Sequence, residues 1–269
     1  MVLEFTKMNG AGNDFVIADN RRQEIQLTPE QAARICDRHR GVGADGVMLL
    51  IPCASGKADW AWDFFNSDGS RAEMCGNGAR CFARYIQKLT GSGDKITFET
   101  IAGIITAVIQ GERVTIGLTP PTGLRLDETV PLKTGATIIH SLNTGVPHAI
   151  LFVEDADKAM VQPTGAEVRH HPHFAPKGTN VNFVQLLGGN AIRVRTYERG
   201  VENETLACGT GVTASALIAS RKHQLKSPVQ VQVQGGDRLE VSFEEANGAF
   251  ANVRLSGPAD FVFDGKIEI

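Results

Sequence analysis

NSDGSRAEMCGNGARCFAR (residues 66–84) and RGVENETLACGTGVTASAL (residues 199–217) are one passage written twice. At an offset of 133 residues Cys75 falls on Cys208, Gly76 on Gly209 and Gly78 on Gly211. A second pair, RGVGADGVMLL (40–50) and KGTNVNFVQLL (177–187), aligns at an offset of 137, with Gly41 on Gly178 and a closing Leu-Leu in both. More weakly, GAGNDFVIAD (10–19) lies opposite TGVPHAILFV (144–153). Three matches in the same order indicate duplication, and such spacing is the mark of a repeated structural unit. Two similar halves predict two similar domains, residues 1–119 and 120–259. The seam is expected in TPPTGLRLDETVP (119–131), where Pro120, Pro121 and Gly123 interrupt a strand-like pattern.

Most of each half reads as strand. ITFETIAGIITAVIQ followed by ERVTIGLT, VNFVQLL followed by AIRVRTYE across Gly188-Gly189, and VQVQGGDRLEVSFE are β-branched runs around turn residues, as hairpins require. Two segments read as helix instead. CGNGARCFARYIQKL places Phe82, Tyr85, Ile86 and Leu89 on one face, whereas CGTGVTASALIAS is small or apolar almost throughout, the composition of a helix buried on every side. The expected class is α+β: two pseudo-symmetric domains, each a mixed sheet wrapped on a central helix that opens with Cys-Gly-x-Gly.

The bulk composition narrows the partners. A chain of 269 residues buries a substantial core without disulfides or metals, and its 42% hydrophobic and 21% charged residues are ordinary for a globular protein. A formal net charge of -3 offers no basic surface for nucleic acid, and no stretch approaches the roughly 18 apolar residues of a membrane span. With no charged leader ahead of an apolar run, the expected location is cytoplasmic, and the expected partner is a small molecule. The five cysteines (Cys36, Cys53, Cys75, Cys81, Cys208) are odd in number and contain no CxxC pair, which argues against a disulfide framework or a zinc site. RHHPH (169–173) carries three histidines but lacks helical ligand spacing, and is expected to be a surface loop; no metal is expected.

Cysteine most often packs as a small apolar residue, and that is the expectation for Cys36, Cys53 and Cys81. Cys75 and Cys208 differ because each precedes Gly-x-Gly at an equivalent repeat position. The N–H groups and macrodipole at a helix N-terminus favour negative charge, so a thiol there ionises more easily and can act as a base. The glycines leave backbone N–H groups open to an anion such as a carboxylate. Two such helices meeting in a cleft between the domains would aim two thiols at one carboxylate-bearing ligand. One thiolate can take a proton from a tetrahedral carbon while the opposite thiol returns one, which is the chemistry of racemisation.

Several longer motifs point further: KMNGAGNDFVIAD (7–19), RHRGVGADGV (38–47), FFNSDGSRAEMCGNGARC (64–81), TGVPHAI (144–150), KGTNVNFV (177–184), RTYERGVENETLACGTG (195–211) and GPADFVFDGKI (257–267). Together, and in this order, they resemble the diaminopimelate epimerases, cofactor-independent enzymes of lysine and cell-wall precursor synthesis that interconvert LL- and meso-diaminopimelate. The resemblance runs almost end to end. It implies the fold of that family, with a returning strand over 260–269 that joins the N-terminal half. It implies Cys75 and Cys208 as the catalytic pair, Cys208 the base and Cys75 the acid from LL to meso, and no cofactor. The N–H groups of Gly76, Asn77, Gly209 and Thr210 match the cradle for the carboxylate on the reacting carbon. Asn13 matches a polar contact to substrate, while Asn66, Asn180, Glu198 and Arg199 match groups that read the far amino-acid end. Arg199 suits a carboxylate through its planar fork and Glu198 suits an ammonium. His148 and Glu198 match positions that tune the thiols. Taken without the resemblance, the asparagines beside glycines could equally be turn residues, and Glu198-Arg199 a solvated pair.

The chain departs from the family in two places, carrying Gly46 where Gln is frequent and Val146 where Asn is frequent. Both remove polar side chains expected near the substrate, which leaves a racemase of altered specificity as an alternative. A non-catalytic ligand-binding or redox-sensing protein built on two apposed thiols is the other. A twofold homodimer is expected from base rates.

Overall fold

The computed structural model describes residues Met1–Ile269. The chain divides into two compact units, Met1–Gly117 with Gly257–Ile269, and Leu118–Ser256.

In the first unit β1 (Val2–Gly10) and β2 (Asn13–Asp19) form a hairpin, and α1 (Pro29–Cys36) crosses over to β3 (Gly46–Ile51), which lies parallel to β2. After antiparallel β4 (Trp60–Asn66), α2 (Gly76–Thr90) crosses over to β5 (Lys95–Thr100), parallel to β4. β6 (Gly103–Gln110) and β7 (Arg113–Gly117) continue antiparallel. The runs FVIA in β2 and VMLL in β3 are buried throughout because α2 covers β2 and α1 covers β3, the pattern of a parallel pair clad on both faces. β5 alternates buried and less buried residues because only one of its faces is clad.

The second unit repeats this plan. β8 (Thr122–Leu132), β9 (Gly135–Asn143) and β10 (Pro147–Phe152) run antiparallel, and α3 (Val161–Arg169) crosses over to β11 (Asn180–Gly188), parallel to β10. β12 (Ala191–Glu198) returns, carries the short β13 (Asn203–Thr205) at its end, and α4 (Gly209–His223) crosses over to β14 (Val229–Val233), parallel to β12. β15 (Arg238–Ala246) and β16 (Ala249–Pro258) close the unit. Finally β17 (Asp260–Glu268) pairs antiparallel with β1. The strand order is therefore β17-β1-β2-β3-β4-β5-β6-β7 in the first unit and β8-β9-β10-β11-β12-β14-β15-β16 in the second, with parallel and antiparallel pairings at the same places in each. The expected α+β class, mixed sheets each wrapped on a central helix, is borne out.

α2 packs against β1, β2, β5, β6 and β7, with Phe82 among Trp62 and Phe98 at ring separations of 5.0–5.5 Å. Leu89, expected on the same buried face, is 37% exposed because it falls in the last turn, beyond the reach of the sheet. α4 is buried almost from end to end, and its small side chains let the surrounding strands approach closely. Its hydroxyls bond back inside the helix, Thr213 to the Gly209 carbonyl and Ser215 to that of Gly211, which meets their need for partners. No helix is long and apolar enough to cross a membrane.

Two further helices, α1 and α3, lie outside the two helical segments read from the sequence. α1 is set by a capping box, Thr28 with Gln31, and by Pro29 in its first turn. RHHPH is not one loop: Arg169 ends α3 and Pro172–Phe174 form a 3-10 turn. Its histidines diverge, with His170 facing Glu202, His171 the Pro131 carbonyl and His173 Glu128.

Candidate functional site

Cys75 is the N-cap of α2, in extended conformation at φ −141° and ψ 120°, and the Gly78 N–H donates to its Sγ at 3.4 Å. The first helical bond runs from Ala79 N–H to the Cys75 carbonyl, so the N–H groups of Gly76 and Asn77 lie ahead of the ladder. A thiolate at this sulfur gains from that amide donor and from the helix dipole. Close packing explains the glycine at 78, since a Cβ there would stand 2.2 Å from the Met48 methyl.

Asn13 belongs to the same cluster. Its Nδ2 donates to Asp45 Oδ2 at 2.8 Å and its Oδ1 accepts from Asn77 Nδ2 at 2.6 Å. A carboxylate can only accept, so Asp45 fixes which end of the Asn13 amide faces it. Asp45 in turn pairs with Arg38 at 2.9 Å, and Arg38 also grips Asp14, which bonds the buried Lys7 at 2.8 Å. Burial pushes the Asp14 carboxyl up, but Arg38 and Lys7 outweigh it and hold it down at about 2. Asn66 serves a separate turn at the end of β4, donating to Ser70 Oγ at 3.0 Å.

In the second unit Cys208 is the N-cap of α4, extended at φ −114° and ψ 108°, and its Sγ lies 3.5 Å from Thr210 Oγ1. Thr210 Oγ1 is 3.0 Å from His148 Nε2, and the Thr144 hydroxyl donates to the Thr210 carbonyl at 2.9 Å. Burial, with Arg199 adding repulsion, holds the His148 imidazole down at about 3, so it is neutral at physiological pH. Asn180 links the remaining residues: its Oδ1 accepts the Arg199 N–H at 2.8 Å and its Nδ2 donates to the Pro147 carbonyl at 3.4 Å. Glu198 Oε2 accepts from the Thr205 hydroxyl at 2.9 Å.

The other cysteines behave differently. Cys36 and Cys81 are buried, and desolvation pushes both thiols up to about 12, so neither ionises near neutral pH. Cys53 does not pack in a core as expected; it is half-buried beside Ser55 and donates to Glu99 at 3.2 Å. No group of three or more His, Cys, Asp or Glu side chains stands in a metal-binding arrangement.

At Gly46 a Cβ would stand 2.5 Å from the Phe64 ring, so the space of a longer side chain is taken by that phenylalanine. Val146 is half-buried in the turn where the Thr144 N–H donates to its carbonyl. Asp45, Asn182 and Thr196 hold site residues in place, although the motifs do not single them out. Strand alternation offers a signal for Asn182, since it is two residues from Asn180 and therefore on the same face of β11.

A model of the diaminopimelate epimerase family matches residues 5–122 and 140–262. The diaminopimelate epimerase of Aquifex aeolicus (strain VF5) is 43% identical over 276 residues, spanning 98% of each chain. Among solved structures, a phenazine biosynthesis protein from Bacillus anthracis superposes with a TM-score of 0.77 at 16% identity over 100% of both chains. A probable proline racemase from Agrobacterium radiobacter K84 does so with a TM-score of 0.73 at 18% identity, over 99% of this chain and 92% of that one. At such identities the likeness to the solved structures is one of fold.

Proposed function

The chain belongs to the diaminopimelate epimerase family, and from that premise we propose that it interconverts LL- and meso-diaminopimelate with two thiols and no cofactor. The observation that carries the reading is the pair of cysteines capping topologically equivalent helices, each followed by Gly-x-Gly. From LL to meso, the Cys208 thiolate takes the proton from the reacting carbon, and the C–H electron pair passes into the adjacent carboxyl group. The planar anion so formed takes a proton from the Cys75 thiol on its other face, leaving a thiol at Cys208 and a thiolate at Cys75. The reverse direction exchanges their roles. Backbone N–H groups at Gly76, Asn77, Gly209 and Thr210 bind the carboxylate while it carries the extra charge, an oxyanion-type stabilisation. Asn13 orients the reacting centre. Asn66, Asn180, Glu198 and Arg199 receive the far amino-acid end, while His148 and Glu198 bias the ionisation of the thiols.

Gly46 and Val146 favour a second reading, a racemase with altered recognition of the far end. A substrate group left without a partner costs about 1–3 kcal/mol, one to two decades of affinity. Incubation with LL-diaminopimelate in D2O, without pyridoxal phosphate or metal, should give solvent deuterium in the product and the meso form. Turnover of a mono-amino acid in its place would establish the second reading and reject the first. The working molecule is proposed to be a cytoplasmic twofold homodimer, to be checked by sedimentation.

A further inference from the structure

Asn182 is fully buried on β11, two residues beyond Asn180, and its amide has four neighbours. Its Nδ2 lies 3.1 Å from the Ala149 carbonyl and 3.2 Å from His148 Nδ1, while its Oδ1 lies 2.9 Å from the Thr196 hydroxyl and would stand 2.3 Å from a Cβ at Gly211. A carbonyl oxygen can only accept, so the atom facing Ala149 must be the amide nitrogen. Its second hydrogen then points at His148 Nδ1, which must offer a lone pair. A neutral imidazole with an unprotonated Nδ1 carries its hydrogen on Nε2. Nε2–H therefore donates to Thr210 Oγ1, and the hydroxyl hydrogen of Thr210 is left to point elsewhere. The Cys208 sulfur, 3.5 Å from that oxygen, is in reach to receive it.

We propose that Asn182 is a positioning residue: by fixing His148 as the Nε2–H tautomer it turns the Thr210 hydroxyl proton onto Cys208 Sγ. Each donor in the series Asn182, His148, Thr210 faces the same way, and the series ends on the sulfur that must hold negative charge. A hydrogen bond to the charged form of a group favours that form. Gly211 is part of the device, because any side chain there would displace the Asn182 oxygen. The arrangement has no copy in the first unit, where Asn77 occupies the place of Thr210 and directs its amide to Asn13. Arg199 acts on the imidazole at longer range, and Cys208 is reached through Thr210. The inference deepens the two-thiol reading above and rests on it for its catalytic meaning, but the hydrogen-bond polarity is testable without turnover.

In intact wild-type protein, 15N chemical shifts of the His148 ring should report hydrogen on Nε2; hydrogen on Nδ1 would overturn the proposal. In a Cys75→Ala background, thiolate absorbance near 240 nm, taken as the difference from Cys75→Ala/Cys208→Ala, should follow Cys208 alone. Thr210→Val should raise its apparent pKa by about one unit, a tenfold loss of thiolate. Asn182→Asp, which accepts from Nδ1–H and so reverses the imidazole, should raise it similarly, and the two changes together should add little to either alone. An unshifted titration, or full additivity, would reject the relay. Should the wild-type chain not epimerise diaminopimelate, the two-thiol reading fails while the tautomer and titration results still decide the role of Asn182.

Discussion

At the scale of single residues, burial separates Cys81 from Cys75, as the repeated Gly-x-Gly setting does in the sequence. Cys81 lies six residues beyond Cys75 on the same helix, yet it is wholly buried and its thiol is pushed up to about 12, whereas Cys75 caps the helix and accepts an amide hydrogen. Cys75→Ala or Cys208→Ala should abolish epimerisation, while Cys81→Ala should keep most of it at a stability cost of about 1 kcal/mol. Deuterium incorporation and urea midpoints measured on the three variants check this, and the opposite pattern would assign the chemistry to the wrong thiols. His148 has its own signature in stability. Its folded pKa lies below 6.5, so between about 3 and 6.5 the unfolded chain binds more protons than the folded one. The histidine's contribution is therefore whole above 6.5 and falls away as pH drops, by up to about 1.4 kcal/mol per unit. His148→Gln should flatten the fall of the unfolding midpoint between pH 6.5 and 4; an unchanged slope would mean that the ring protonates without penalty.

At the scale of elements, the two helix starts look interchangeable but tolerate change differently. A Cβ at Gly78 meets the Met48 methyl, the far end of a flexible side chain, whereas a Cβ at Gly211 meets the Asn182 oxygen, whose amide is bonded to Ala149, His148 and Thr196. Gly78→Ala should therefore shift stability by less than about 1 kcal/mol, with better helix propensity offsetting the displaced methyl. Gly211→Ala should cost about 1–3 kcal/mol, as overpacking does; equal urea midpoints for the two variants would contradict this. α2 and α4 were legible because fifteen-residue helices with an apolar face, or apolar all round, leave a long periodic trace. α1 was marked by Thr28-Pro29-Glu30-Gln31, a start signal whose eight-residue helix is too short for its periodicity to register. α3 hides for a different reason. Pro163 sits in its first turn, where proline is tolerated, and Gly165 lets the helix lie on Tyr197, whose Cβ would stand 2.5 Å from an added methyl. Both residues read locally as breakers, and only the tertiary contact makes them helical. The same limit applies to Asn182, whose polar contacts lie on two other strands, β10 and β12.

At the scale of the whole molecule, the duplication is offset by one strand. The edge position filled by β8 in the second unit is filled in the first by β17, the last strand of the chain. Repeated motifs cannot show this, since β17 and β8 share no recognisable sequence. Ile267 and Ile269 pack onto the cluster of Leu3, Phe5, Val16 and Val47, and Phe263 meets Phe5 edge-on at 5.9 Å. The buried Arg80 donates to the Pro258 carbonyl at 3.1 Å and Arg84 to that of Ala259 at 2.6 Å, so the returning segment is tied to the helix that carries Cys75. Deleting residues 257–269 removes about 3 kcal/mol of isoleucine burial, uncovers Leu3 and Phe5, and strips carbonyl partners from the buried Arg80 and the half-buried Arg84. Against a typical total of about 5–15 kcal/mol, that loss should unfold the first unit. Covalent order should matter far less than presence. Val2 pairs with Glu268 and the Met1 amino group donates to the Ile269 carbonyl at 2.9 Å, so an Asn-Gly turn can join the two ends as a hairpin. A permuted chain that begins at Gly257 and runs through this turn into Met1 should keep a cooperative thermal transition close to that of the original. The truncated chain should lose protease resistance in residues 1–117 first; equal resistance in truncated and complete chains would show that β17 is dispensable to the unit it completes.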